Sequence, residues 1–328
     1  MSTLTRRTFL SAALCAAALP MQAWSADEYP GGRVVRVIVP YTPGGGTDSV
    51  ARAIAAKLTT RAGWTVVVEN RPGAAGNIGM DLVAKAKPDG YMLGLGQTSN
   101  LAINPALLPS MPFDASEDFE AVAILASLPV VLVVKADARW QTLGDLVKEA
   151  REKPGELKQA LAGSGTVGHL AGELLAYQAK FEVLNVPYRG AAPALNDLMG
   201  GSTDYMFATP QAAQAMLKGN SLRPLAVTSR ERLQIMPDVP TVAESGFDGF
   251  EAVDWKAVVA PKDTPAERIA QINRAIQDVL TDPATIAMFT AEGSTAMSGT
   301  PQDARTYIEH EQTKWAGLIK QAGIQFEQ

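Results

Sequence analysis

From Arg33 onward the chain alternates short apolar runs with stretches in which apolar residues recur every three or four positions. Residues 34–39, 65–69 and 91–96 read as strands. Between the first two, Val50, Ile54 and Leu58 fall on one face of a helix that opens after PGGGT and stops at Gly63. A second helix follows NRPGAAGNIG, and the third strand ends in GQTSN. This β-loop-α order predicts a parallel sheet with helices on both faces.

A second series begins near Pro129. Residues 130–134 predict a strand, 143–151 a helix, and KPGELKQALAGSGTVGHLAGELL a turn, strand, loop and helix. Strand 183–186, helix 193–199 and strands 205–208 and 222–228 follow. A late strand, 250–259, precedes three helices at 265–280, 283–291 and 301–322, with no strand after them, so these helices are expected to pack back on the first unit. The expected architecture is α/β with two doubly wound lobes, the chain crossing between them near residues 124–132 and 250–258. Lobe 1 is discontinuous, residues 27–126 plus 248–328, and lobe 2 spans 127–247. VPYTPGG at Val39 and VPYRGAAP at Val186 repeat the same strand exit, which suits a cleft built from both halves.

Composition narrows the picture without changing it. With 47% hydrophobic and 19% charged residues the chain is an ordinary globular protein. Its formal charge of −5 offers no basic face, so no nucleic-acid partner is expected. Residues 1–26 read as an export signal: Arg6 and Arg7, an apolar run at 9–19 too short for a permanent span, and small residues around Ala23-Trp24-Ser25. TRRTFL resembles the twin-arginine motif, with Ser11 where Lys is common; a general secretory signal is the alternative. The mature protein is therefore expected to be periplasmic. The leader carries Cys15, the single cysteine, leaving no thiol and no disulfide afterwards.

The candidate chemistry lies in two glycine-rich loops. Gly44, Gly45 and Gly46 let the backbone approach a ligand closely, and the following helix leaves free N–H groups and a positive dipole end there. No Lys follows, so the loop is an anion site weaker than a phosphate loop, or a plain turn capped by Thr47. AGSGTVGHL, residues 162–170, repeats the arrangement. Two helix N-termini facing across a cleft would grip a carboxylate mainly by backbone groups. Catalysis has little support. His310 reads as a solvated face residue, and Ser164 or Thr166 beside His169 reads as capping. No G-x-S-x-G, metal-binding set or phosphate loop is present, so neither enzyme activity nor a metal or other cofactor is expected.

VPYTPGGGTD, VVVENRPGAAGNIG, KPDGY, INPAL, HLAGELL, VPYRGAAPALNDLMGG, LAVTS, PDVPTVAESG and VAPKDTP occur in this order along the mature chain. Together they resemble the Bug-type (TctC-like) solute-binding receptors of tripartite tricarboxylate transporters. The resemblance implies a type II periplasmic-binding-protein fold and a small carboxylate delivered to membrane permease subunits by a monomeric receptor. A partner of a membrane signalling sensor is the alternative. Carried across by motif, the first pincer is Tyr41, Pro43, Gly44, Gly45, Gly46 and Thr47. The second is Ala162, Gly163, Ser164, Gly165 and Thr166, with His169 behind. Asn77, Gln97, Thr98, Ser99, Ala208 and Thr209 line the remaining wall, and Arg189 and Asp254 are candidate contacts. Ala162, Ala208-Thr209 and Asp254-Trp255-Lys256 depart from the residues common in relatives, so the distal half of the pocket is this protein's own.

Overall fold

The computed structural model describes residues 29–44, 46–188 and 190–325; the expected export signal, Gly45 and Arg189 lie outside them. The first half of the chain lays down β1 (Val34–Val39), α1 (Gly46–Ala62), β2 (Thr65–Asn70), α2 (Asn77–Ala84) and β3 (Met92–Gln97). A single turn of wide helix, Ser99–Ile103, and the short α3 (Asn104–Leu107) lead to the long β4 (Phe119–Pro129). After Val130 come β5 (Val131–Lys135), α4 (Leu143–Glu152), β6 (Lys158–Leu161), α5 (Val167–Ala179) and β7 (Leu184–Pro187). They are followed by α6 (Ala191–Gly200), β8 (Tyr205–Ala208), α7 (Pro210–Lys218) and β9 (Leu222–Val227). The chain returns through β10 (Val253–Pro261) to α8 (Ala266–Leu280), α9 (Pro283–Ala291), β11 (Thr295–Ala296) and α10 (Pro301–Ala322).

Local chemistry accounts for these elements. The VVRVIV run of β1 sits mid-sheet, parallel to both β2 and β3, and its last three residues are buried. Val50, Ile54 and Leu58 of α1 are all buried, and Gly63 ends that helix at φ +69°, where a Cβ would be strained. Thr142 with Asp145, and Thr300 with Asp303, form capping boxes at the starts of α4 and α10.

The strands form two sheets, ordered β11-β4-β10-β3-β1-β2 and β7-β6-β8-β5-β9. Both are mixed rather than purely parallel. The chain crosses from one sheet to the other and back, so β10 runs antiparallel to β3 and β4, and β5 antiparallel to β8 and β9. The sequence pattern also missed α7, the early start of β4 and the two-residue β11. The last helices pack back on the first sheet: α8 and α10 lie on β4, and the buried Glu311 of α10 accepts from Trp255 and Trp315 Nε1, each at 3.0 Å.

Both crossings are stitched by one residue. Thr228, fully buried, donates its N–H to Val130 O (3.0 Å) and accepts from Ala252 N–H (3.1 Å). Its Oγ1 accepts from Val130 N–H (2.9 Å) and donates to Ala252 O (2.6 Å). The carboxyl ends of β1 and β3 in one sheet, and of β6 and β8 in the other, lead into the loops of the candidate site.

Candidate functional site

On the six-stranded side, the glycine loop is braced from inside. Asp48, buried in the first turn of α1, accepts from Gly44 N–H, Arg52 Nε and Asn70 Nδ2, each at 2.9 Å. The Arg52 guanidinium beside it holds the carboxyl at about 2, so it stays ionised. The N–H of Gly44 is therefore committed to the fold. Pro43 and Gly44 form the exposed turn, with Gly44 at φ +84°. Thr47 does not cap the helix end. Its hydroxyl donates to Gln97 Oε1 at 2.5 Å, and Gln97 Nε2 donates to Ser99 Oγ at 3.1 Å. Tyr41 accepts from Asn100 Nδ2 (3.0 Å) and shares a proton with Ser99 Oγ (2.8 Å). Burial pushes the Tyr41 hydroxyl well above its ordinary range, so it keeps its proton.

Two expected residues on this side sit elsewhere. Thr98 is fully buried in the seam between β3 and β10, accepting from Trp255 N–H at 2.9 Å. Asn77, buried at the start of α2, accepts from Asn104 Nδ2 at 3.2 Å.

On the five-stranded side, the loop from Ala162 to Thr166 bends on Gly163 and Gly165, at φ +157° and +73°. Thr166 caps α5, accepting from His169 N–H at 3.4 Å while its hydroxyl donates to Gly163 O at 2.8 Å. Ser164 lies half-buried between these two points. Gly165 N–H donates to His169 Nδ1 at 3.2 Å, so the ring proton resides on Nε2, 3.7 Å from Glu173 Oε1. Desolvation pulls His169 down to about 4 and keeps it neutral. It is a brace for the loop. Gly168 is dictated by packing: a Cβ there would stand 2.5 Å from Phe207 O, so only glycine lets the first turn of α5 lie against the end of β8. Thr209 caps α7 in the same way, accepting from Ala212 N–H at 3.3 Å, with Pro210 in the first turn.

The two sides meet. A side chain on Gly46 would come within 3.5 Å of Gln211 Oε1, and one on Gly165 within 3.5 Å of Asn104 Oδ1. Between them lies a cavity of about 160 Å³. Of the expected residues, Gln97, Ser99, Ala162, Thr166, Ala208, Thr209 and Asp254 line it. Val130, Val167, Gly168, Ala191, Met206 and Phe207 complete the wall and were not singled out from sequence. Their signal was positional: Met206 and Phe207 lie within β8, Val167, Gly168 and Ala191 open helices, and Val130 sits at the crossing. Val167 and Gly168 belong to the first turn of α5, whose N–H groups have no partner within the helix. No Lys or Arg lines the cavity among the described residues. The VPY repeat is not a functional pair: Tyr41 joins the cleft network, whereas Tyr188 donates to Asp197 Oδ2 at 2.7 Å. A larger crevice, about 640 Å³, opens by the β9 and β11 edges beside Arg232, Leu280 and Ser298, and none of the expected site residues lines it.

Two mixed sheets flanking a small cleft that helix N-termini enter define a two-lobed solute-binding protein with the type II periplasmic-binding fold. Residues 50–324 match the profile of the tripartite tricarboxylate transporter family receptors (TctC), and the chain belongs to that family. It is 38% identical to protein BugT of Bordetella pertussis (strain Tohama I), covering 91% of this chain and 92% of BugT. Among solved structures, Rpa4515 of R. palustris with adipate is 34% identical with a TM-score of 0.82, covering 91% of this chain and 99% of that one. The periplasmic binding protein BugD is 31% identical with a TM-score of 0.78, covering 90% and 99%. The family is one of receptors. No helix among the described residues is long and apolar enough to cross a membrane.

Proposed function

We propose that this protein is an exported, monomeric receptor that closes on one small carboxylate and hands it to the permease subunits of a tripartite tricarboxylate transporter. The observation that carries this reading is the 160 Å³ cavity, which the first turn of α5 and the capped start of α7 both reach. Each helix start contributes roughly half a positive charge. With the hydroxyls of Ser99 and Thr209, these starts can hold an anion without a cationic side chain. The volume is below the roughly 300–1,000 Å³ of pockets for drug-sized ligands, which suits a short acid. The adipate of the Rpa4515 structure is of the same chemical class. The closing units are residues 27–126 with 248–328, and residues 127–247. Sheet membership supports this division, because β5 to β9 form one sheet and all other strands the second.

A thermal-unfolding screen of the exported protein against mono-, di- and tricarboxylates, amino acids and aromatic acids tests the reading. An acid present at a hundred times its dissociation constant should add about 2.7 kcal/mol of stability. If no acid stabilises the protein while a sugar or nucleotide does, the carboxylate assignment is wrong.

A further inference from the structure

Asp254 and Lys256 are neighbours on one face of β10, since alternate residues of a strand share a side. Trp255 between them points the other way, to Glu311. Lys256 is almost wholly buried, 4% exposed, and its ammonium is bound to Asp254 Oδ2. The other carboxylate oxygen, Oδ1, is buried and has no hydrogen-bond partner among the described residues. Asp254 lines the same cavity as the starts of α5 and α7, but from the opposite sheet. Around it the wall is largely apolar, with Val130, Met206 and Phe207.

A buried acceptor without a donor calls for an explanation, and one whose residue lines a ligand cavity has a ready one. We infer that Asp254 is the specificity-determining contact of the cleft, and that through Oδ1 it selects a hydroxyl on the bound acid, so that the ligand is a hydroxylated monocarboxylate. This rests on the carboxylate-receptor reading above. Other chemistries fit the wall less well. A second carboxylate would set oxygen against oxygen. An ammonium would enter beside Lys256, whose charge already balances Asp254. An unsubstituted alkyl end would leave the acceptor buried and unpaired. A hydroxyl alone donates to Oδ1 and brings no charge. Sites built to bond a hydroxyl discriminate strongly against analogues that lack it.

Titration calorimetry on the exported protein tests this with acids matched in length, from four to six carbons. Each set holds the alkanoate, its hydroxylated derivatives, the terminal amino acid and the dicarboxylate: butanoate, hydroxybutanoates, 4-aminobutanoate and succinate, up to hexanoate, hydroxyhexanoates, 6-aminohexanoate and adipate. In the best-fitting set a hydroxy acid should bind at least tenfold tighter than the other three classes. Asp254→Asn leaves Lys256 cationic without its counter-ion, so the dicarboxylate should become the tightest ligand of that set. A wild type that binds these acids but prefers the dicarboxylate, the amino acid or the alkanoate overturns the inference and leaves the receptor reading standing. So does an Asp254→Asn protein that keeps the original order. If the variant does not melt cooperatively, the wild-type order decides alone. Should no acid in any set bind, this inference falls, and the thermal-unfolding screen above decides the carboxylate reading separately.

Discussion

At the residue scale, the polar side chains of this cleft divide into those that face the cavity and those that hold the loops in place. Asp48 and His169 belong to the second group, each occupying a backbone N–H of a glycine, Gly44 and Gly165. His169 makes that role measurable. Its pKa falls from 6.5 in the unfolded chain to about 4 in the fold, because burial disfavours the cation and Nδ1 is already an acceptor. The folded value is depressed, so the unfolded chain binds more protons between these limits. Stability is therefore complete above about pH 6.5 and declines as the pH falls toward about 4. A tenfold change in a proton-binding constant corresponds to about 1.4 kcal/mol. The nearby Glu173 carboxylate works in the opposite sense, so the expected loss is about 1–3 kcal/mol over this window. His169→Asn keeps an acceptor near Gly165 and cannot titrate, so urea denaturation should show this decline in the wild type and a flatter profile in the variant. Equal slopes would mean that another group titrates there.

At the scale of elements, the sequence was most legible where one period dominated. Val50, Ile54 and Leu58 announced α1, and the expected helices at 283–291 and 301–322 match the bounds of α9 and α10. The helix α7 was hidden because its two large apolar residues, Met216 and Leu217, are adjacent and give no helical period, although Thr209-Pro210 carries a cap followed by a first-turn proline. Half of the cavity wall was hidden for a different reason. Val130, Met206 and Phe207 look like ordinary strand residues, and only the meeting of two sheets turns them toward a ligand. Gly168 looked like one more small residue, yet its lack of a side chain seats α5 on β8. Gly168→Ala would bring a methyl to 2.5 Å from the Phe207 carbonyl, a rigid backbone atom. The first turn of α5 must then lift away. Overpacking of this kind typically costs about 1–3 kcal/mol of stability. Affinity for the bound acid should fall at least tenfold, because the N–H groups at this helix start move with it. Calorimetry and urea denaturation of the same variant check both. Unchanged affinity alongside reduced stability would show that α5 does not hold the anion.

At the scale of the whole molecule, function depends on how the two sheets are joined. The sequence located both crossings but not what fastens them, because Thr228 lies in LAVTS with nothing to mark it. Its hydroxyl ties Val130 to Ala252, the first beside the end of β4 and the second just before β10, and Val130 also lines the cavity. The joint and the site are thus one piece of structure. Thr228→Val keeps the shape but removes the acceptor of Val130 N–H and the donor to Ala252 O, leaving two buried backbone groups short of a partner. Unpaired buried groups cost about 1–3 kcal/mol, so this variant should lose about 2 kcal/mol or more. Thr228→Ser keeps both bonds and gives up one methyl, for a loss nearer about 1 kcal/mol. Ligand affinity should follow the same order, since a joint without its stitch no longer fixes Val130 against the cavity. If the serine variant proves as unstable as the valine variant, the methyl packing of Thr228 holds the crossing and its hydroxyl does not.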